Sequence, residues 1–224
     1  MKKLVTAAAM GSALVMANTV QAASVEGLGI GAGYGLFSGP TLELNYPIND
    51  VLQVRGALSA GMGINETTSD TEIEYDVKLD GGINRLALDY HPFGGAFFLS
   101  AGYAVNNFNV KANAHEQSEF VVGDNTYNGN VYLDGQIDWD SAPTLSLGWG
   151  HSPAQGWGAM VELGAIFTGS GQVDLNATGN VNGTDVTQDS DFQADLIREE
   201  KKLQDDVGDY DFLPILQAGV TYRF

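Results

Sequence analysis

The closing stretch of this chain, Leu213 to Phe224, constrains its fold more than any other. Leu216, Ala218, Val220, Tyr222 and Phe224 share one face of an extended strand, and Gln217, Gly219, Thr221 and Arg223 share the other. That period-two alternation suits a strand with lipid on one side and a polar lumen on the other. Phe224 then stands where an interfacial aromatic anchors a strand at the membrane surface.

The start of the chain agrees with this. Lys2 and Lys3 precede an uncharged run from Leu4 to Val20, and Val20-Gln21-Ala22 has the small-residue pattern of a signal-peptidase site. The pattern predicts a signal peptide over residues 1–22, cleaved after Ala22. No later segment approaches the ~20 consecutive apolar residues of a membrane helix, so a membrane domain over residues 23–224 has to be built from strands. Cysteine is absent. Stability must come from a closed sheet rather than from disulfide staples. The formal net charge of -18 makes nucleic acid an unsuitable partner. The excess acid lies mostly in predicted loops, where it either solvates them or binds divalent cations beside phosphate-rich lipid.

Further strands follow in order. Leu28, Ile30, Ala32, Tyr34 and Leu36 alternate with the glycines from Gly27 to Gly35, and after a turn at Phe37 to Pro40 the outward set is Leu42, Leu44 and Tyr46. Beyond a turn at Pro47 to Asp50, Leu52, Val54 and Leu58 oppose Gln53, Arg55, Ala57 and Ser59. A polar excursion around Asn65 to Asp70 leads to a fourth strand that begins near Thr71 with Ile73, Tyr75, Val77 and Leu79 outward. It resumes after Gly81-Gly82 with Leu86, Leu88 and Tyr90, and the change of parity there predicts a β-bulge. Strands five to seven carry Phe97 to Tyr103, Leu145 to Trp149 and Val161 to Phe167. With the closing strand, this is an all-β fold: a transmembrane up-and-down antiparallel barrel of eight strands. Ten remains open if Asn113 to Asp140 supplies a membrane-spanning pair.

Aromatics support the reading independently. Tyr46, Tyr90, Phe97, Trp149, Tyr222 and Phe224 cluster beside the short turns, and Tyr34, Tyr103 and Phe167 sit at the opposite strand ends. Two such girdles flank the apolar band of an outer-membrane barrel. A soluble barrel would bury its apolar face inside and need no aromatics ranked by depth.

Between the last two strands, Asp191 to Val207 reads as a short helix in the last extracellular loop. Phe192, Leu196, Leu203 and Val207 share a face, Ser190 and Gln193 are spaced as a capping box, and Gly208 is placed to end it. Its role is either a cap packed on neighbouring loops or a lid over the lumen. Inward positions include Glu43, Arg55, Arg85, Asp89, Glu162 and Arg223, which predicts a paired lumen charge network. Glu43 is expected level with Arg55. The glycine wall leaves room beside these charges, so a narrow path stays open as an alternative to a filled lumen.

Enzyme chemistry has little support. His115, Glu116 and Ser118 have the residue types of a hydrolase site without its motif, and Asp124 to Gly129 lacks the bidentate acid of a calcium loop. Zinc, Walker A and dinucleotide patterns are unmet, so neither a metal nor a cofactor is expected.

The signal peptide, the run Asp89-Tyr90-His91-Pro92-Phe93-Gly94-Gly95, the strand Phe97 to Asn106 and the ending Gln217 to Phe224 together resemble a small bacterial outer-membrane barrel family. It is the broad group of outer-membrane proteins W and A and the opacity proteins. The resemblance implies an assembly signal at Val220, Tyr222 and Phe224 read by the barrel assembly machinery, and a setting among outer-membrane lipid and lipopolysaccharide. The protein W relatives imply a narrow or lateral conduit for small hydrophobic molecules. The others imply a structural or adhesive surface barrel whose acidic loops bind lipid headgroups, cations or a partner. The acidic helical segment departs from a short-looped barrel. No ligand is named by the residues.

Overall fold

Fourteen strands and one helix make up the computed structural model, which describes residues 27–68, 75–151 and 154–224. The expected signal peptide and the positions Thr71 and Ile73 lie outside those residues. Eight strands close into a barrel: β1 (Gly29–Gly35), β2 (Gly39–Asn49), β3 (Leu52–Ser59), β6 (Ile83–Tyr90), β7 (Phe97–Asn106), β10 (Ala142–Trp149), β11 (Gly156–Ile166) and β14 (Leu213–Arg223). Every neighbour is antiparallel. β14 pairs with both β11 and β1, and Phe224 exchanges backbone bonds with Gly27 and Leu28 at 3.1 and 3.0 Å, so the ends of the chain fasten the seam.

Alternation decides what faces where. Leu42, Leu44, Leu58, Leu86 and Leu145 are each more than half exposed on the outside, a continuous apolar surface that only lipid can solvate. Aromatics border it at both ends. At the short-turn end Phe93 packs on Phe97, Phe97 on Trp149, Trp157 on Tyr222, and Tyr222 on Phe224. Tyr34, Tyr103 and Phe167 are half-exposed near the other end.

The remaining strands form a second sheet beyond the long-loop end, in the order β13-β12-β9-β8-β5-β4. They are β4 (Ile64–Thr68), β5 (Tyr75–Asp80), β8 (Asn109–Val122), β9 (Asn125–Asp138), β12 (Gln172–Val181) and β13 (Thr184–Asp185). This corrects several expectations. Part of the polar excursion at Asn65 is strand. The Asn113 to Asp140 stretch belongs to a hairpin of this sheet rather than to a membrane-spanning pair, so the barrel has eight strands. The parity change at Gly81-Gly82 is not a bulge but the point where the chain leaves one sheet for the other.

Gly81 shows why that transition needs glycine. Its φ is 76°, and a Cβ there would stand 1.7 Å from the carbonyl oxygen of Asn107. Gly81→Ala should therefore cost on the order of 1–3 kcal/mol from backbone strain, with crowding added. Gly63→Ala, at φ 57° with open space around it, should cost less. The urea midpoint of each variant checks the difference.

The helix, α1 (Ser190–Gly208), runs a residue further at each end than predicted. Asp189 rather than Ser190 caps it, accepting from the Asp191 and Phe192 amides at 3.1 and 3.0 Å, and Gly208 lies within it. Lys202 lies 3.9 Å from Glu199, one turn back on the helix. Phe192 and Leu196 pack into a core of Phe120, Val122, Tyr127, Val131, Val181 and Val186 on one face of the second sheet. Further along, Gln204 and Glu200 accept from the amides of Val173 and Leu175 at 2.9 and 3.1 Å. α1 thus covers one face of the sheet and satisfies edge amides of β12 that would otherwise invite another strand.

Candidate functional site: the barrel interior

The lumen is packed in three levels along its axis. At the short-turn end, Arg223 donates to Asn45 Oδ1 at 2.9 Å, to the Gly27 carbonyl at 2.7 Å and to Gln53 Oε1. Because both amide oxygens are taken by Arg223, Gln53 Nε2 is left to donate to His91 Nε2 at 2.8 Å and Asn45 Nδ2 to His151 Nδ1 at 3.3 Å. The tautomers follow from these acceptor roles. His91 carries its proton on Nδ1, which meets the Gly95 carbonyl at 2.7 Å, and His151 carries its own on Nε2, 3.2 Å from Glu43 Oε2. Phe98, fully buried, lies beside both imidazoles.

The middle level is ionic. Arg55, 2% exposed, donates to Asp89 at 2.8 and 3.1 Å, to Glu162 at 2.8 and 3.0 Å, to Glu43 at 3.1 Å and to Ser100 at 3.3 Å. Arg85 forks onto Glu162 at 2.8 and 3.0 Å and reaches Gln217 at 2.6 Å. Ser146 and Gln217 add hydrogen bonds to Glu162 and Glu43 at 2.6 and 2.9 Å. Three carboxylates face two guanidiniums. Buried charge at this density is tolerable because every carboxylate oxygen except Glu43 Oε2, which faces His151, accepts a hydrogen bond.

The upper level is apolar. Ile83, Ala104, Ala142, Ile166, Leu213 and Ile215 turn inward beneath the second sheet and pack with Phe108. Phe37 meets Phe108 at 5.2 Å and Trp139 stacks on it at 5.6 Å. The plug lies under the sheet and is built from barrel strands and the segments next to them, while α1 packs on the second sheet and meets the margin of the plug where Val207 and Trp139 flank Gly171.

The structure therefore brings Glu43, Arg55, Arg85, Asp89 and Glu162 into one network and places Arg223 apart at the short-turn end. Glu43 is not level with Arg55: β2 and β3 pair Asn45 with Arg55 and Glu43 with Ala57, with a register shift between Pro47 and Asn49. The long arginine side chain bridges the offset. Nor is the space beside the glycine wall free. A Cβ on Gly29 would collide with Asn45, one on Gly31 would crowd Glu43, and one on Gly148 would strike Phe98. The alternation of the last strand leaves Tyr222 and Phe224 partly exposed and Val220 more so, on its outer face. His91 and His151 read as turn residues, and only the depth of their strands would have put them inside.

Above the barrel, Asp195 is buried between the second sheet and α1. It accepts from Tyr127 Oη at 2.7 Å and Asn125 Nδ2 at 2.6 Å, with Arg198 2.8 Å away. The bonds from Tyr127 and Asn125 hold its carboxyl below the ordinary range, and burial with the bond to Asp195 pushes the Tyr127 hydroxyl up to about 12. The signs oppose. The Asp195 contribution is complete above its unfolded value near 4 and lost as pH falls through the lowered one. The Tyr127 contribution is complete below about 10 and lost as pH rises toward about 12. The thermal midpoint of α1 should be flat between pH ~5 and ~9 and fall near ~11. Tyr127→Phe should abolish the alkaline fall, which helix circular dichroism reads directly.

Comparison with known proteins adds to this geometry. No family model matches the chain, and no curated protein matches it. Among solved structures it is similar to the crystal structure of Acinetobacter baumannii CarO, with a TM-score of 0.57 and 21% identity over 91% of this chain and 100% of that one. The fold is a CarO-like barrel. Acinetobacter baumannii CarO2 gives a TM-score of 0.58 and 20% identity over 88% of this chain and 98% of that one. At that identity the likeness to CarO is one of fold. It supports a small eight-stranded barrel, and does not single out the protein W, protein A or opacity group that the sequence resembles.

Proposed function

We propose that this chain is a non-enzymatic outer-membrane barrel whose lumen is a structural core rather than a pore, and whose second sheet is displayed at the cell surface. The observation that carries the reading is the filled lumen: a histidine-amide level, an ionic level centred on Arg55 and an apolar plug lie one above another. An eight-stranded barrel has room for its own side chains and little else. The sheet is held to the barrel by three paired excursions and capped by α1, a rigid platform suited to contact rather than passage. In this reading residues 1–22 direct export, and the Val220, Tyr222 and Phe224 face is what the assembly machinery reads.

A lateral conduit for small apolar molecules has one observation in its favour. β1 stops pairing before the top of β14, and Leu36, Phe37, Pro214 and Leu216 border a notch through the wall that reaches Arg85 and Gln217. Its interior of about 20 Å³ accommodates a water. Passage of anything larger requires the strands to part, so we favour the closed barrel.

Because the chain has no cysteine, an introduced one is its sole thiol. Val121→Cys on the second sheet should react with a membrane-impermeant maleimide on intact cells. Phe93→Cys at the short-turn end should react only after the outer membrane is opened. The reverse pattern rejects the orientation.

A further inference from the structure

The hydrogen bonds at the short-turn end of the lumen all run in one direction. Arg223 has only donors to give, and its guanidinium takes both amide oxygens, Asn45 Oδ1 and Gln53 Oε1. Each amide must therefore turn its nitrogen toward a histidine: Gln53 Nε2 donates to His91 Nε2 at 2.8 Å and Asn45 Nδ2 to His151 Nδ1 at 3.3 Å. Gln53 Nε2 also donates to the His151 carbonyl at 3.1 Å, so turning that amide over would set oxygen against oxygen. The other ring nitrogens are already donors, His91 Nδ1 to the Gly95 carbonyl and His151 Nε2 toward Glu43 Oε2. Donation thus passes from the arginine through the amides and ends on one lone pair of each imidazole.

A second proton on either ring removes that lone pair and sets one N–H against another. The facing amide cannot invert to accept it without giving up Arg223. Nor is there a carboxylate to spare among the described residues. The buried ionisable groups packed around the rings are Glu43 on β2, Arg55 on β3, Asp89 on β6, Glu162 on β11 and Arg223 on β14, with Arg85 of β6 beyond them. From β7 comes only Phe98, and Asp50, in the turn before β3, is exposed. Three carboxylates and three guanidiniums cancel. An imidazolium would add one charge in excess at a level where both histidines are 2% exposed.

Arg223 also donates to the Gly27 carbonyl at 2.7 Å, across the seam where β14 meets β1. We propose that Arg223, Asn45, Gln53, His91 and His151 form an acid-released clasp on that seam, closed while both imidazoles are neutral and opened when either takes up a second proton. The amides then turn toward the imidazolium, and Arg223 loses its oxygens. The sign follows from the same geometry. Histidines of the unfolded chain bind near pH ~6.5 a proton that the closed clasp has no acceptor for, so the clasp is complete above that pH and lost as pH falls. The proposal goes beyond the closed-lumen reading while resting on it. The two fail separately, because ion conductance reads the filling of the lumen and the seam amides read the clasp.

The test is hydrogen exchange of the folded full chain in lipid vesicles at about pH 8 and about pH 5, corrected for the intrinsic exchange rate. The reporters are the Gly27 and Phe224 amides, which donate across the seam to the Phe224 and Leu28 carbonyls. Heat-modifiable migration at each pH confirms that the barrel is folded. Protection of the wild-type seam should fall roughly tenfold or more on acidification, while amides of β10 stay within about twofold. H91Q/H151Q, neutral at both pH values, should hold its seam protection constant. N45D/H91Q keeps His151 and gives its second proton a carboxylate, so its protection should hold or rise in acid. A wild-type seam equally protected at both pH values would overturn the proposal, as would an undiminished acid loss in either variant. A loss shared equally by β10 and the seam would overturn it too, by assigning the effect to general acid unfolding.

Discussion

Arg55→Met should destabilise the barrel by about 3–5 kcal/mol, the cost of leaving buried carboxylates without their cation. Arg55 is the hub of the middle level: Asp89, Glu162 and Glu43 all accept from it, and Glu162 keeps only Arg85 and Ser146 once it is gone. Little water can take its place, because the plug above and the Phe98 level below enclose the site and the lateral notch beside Arg85 and Gln217, of about 20 Å³, has room for one. Equilibrium unfolding in urea from lipid vesicles measures the loss. Neutralising the partners in the same background, with Asp89→Asn and Glu162→Gln, should recover a substantial part of it, since the deficit lies in unpaired charge and not in lost packing. Arg198→Met, which removes a half-exposed guanidinium while the buried Asp195 keeps its bonds from Tyr127 and Asn125, should cost less than about 1 kcal/mol. A barrel indifferent to Arg55→Met would mean the network is solvated and the lumen wet.

The second large effect falls on the other layer. Phe192, fully buried, meets Tyr127 edge-on at 5.1 Å and anchors the first turns of α1 to the second sheet. Phe192→Ala should remove about 3–5 kcal/mol of packing. The loss should stay local, because the core around Phe192 and the plug around Phe108 are separate clusters. Hydrogen exchange should show α1 and β12 amides losing two to three orders of magnitude of protection at ~1.4 kcal/mol per decade, while the barrel strands are unchanged. Equal loss in β10 and β14 would show that the two layers unfold as one.

The barrel strands were readable because each has lipid on one face and a polar interior on the other, so the period-two pattern survives in Leu42 to Tyr46 or Leu145 to Trp149. The same rule misled at Gly81-Gly82. A change of parity has two causes, an inserted residue or a chain that passes from one sheet to another, and the alternation alone does not separate them. The β8–β9 hairpin was ambiguous for a related reason: in a sheet wetted on one side, Asn, Asp and Thr alternate with small apolar residues too loosely to fix where the membrane ends. The lumen charges were legible by face but not by depth. Register decides depth, and the shift between Pro47 and Asn49 is what moves Glu43 off the level of Arg55. His91 and His151 stand just beyond the ends of β6 and β10 and enter the lumen because the chain curls inward there. The helix was visible from its own periodicity, whereas its use of Glu200 and Gln204 to cover the β12 edge required the strand to be seen first.

The central claim is that the lumen is closed by its own side chains. Single-channel conductance of the refolded protein in a planar bilayer tests it most directly, with heat-modifiable migration confirming the folded barrel. The intact chain and a form lacking Asp191 to Val207 should both be silent, because the plug around Phe108 and the network around Arg55 remain when α1 is removed. Discrete, reproducible current steps from the intact folded protein would contradict the account.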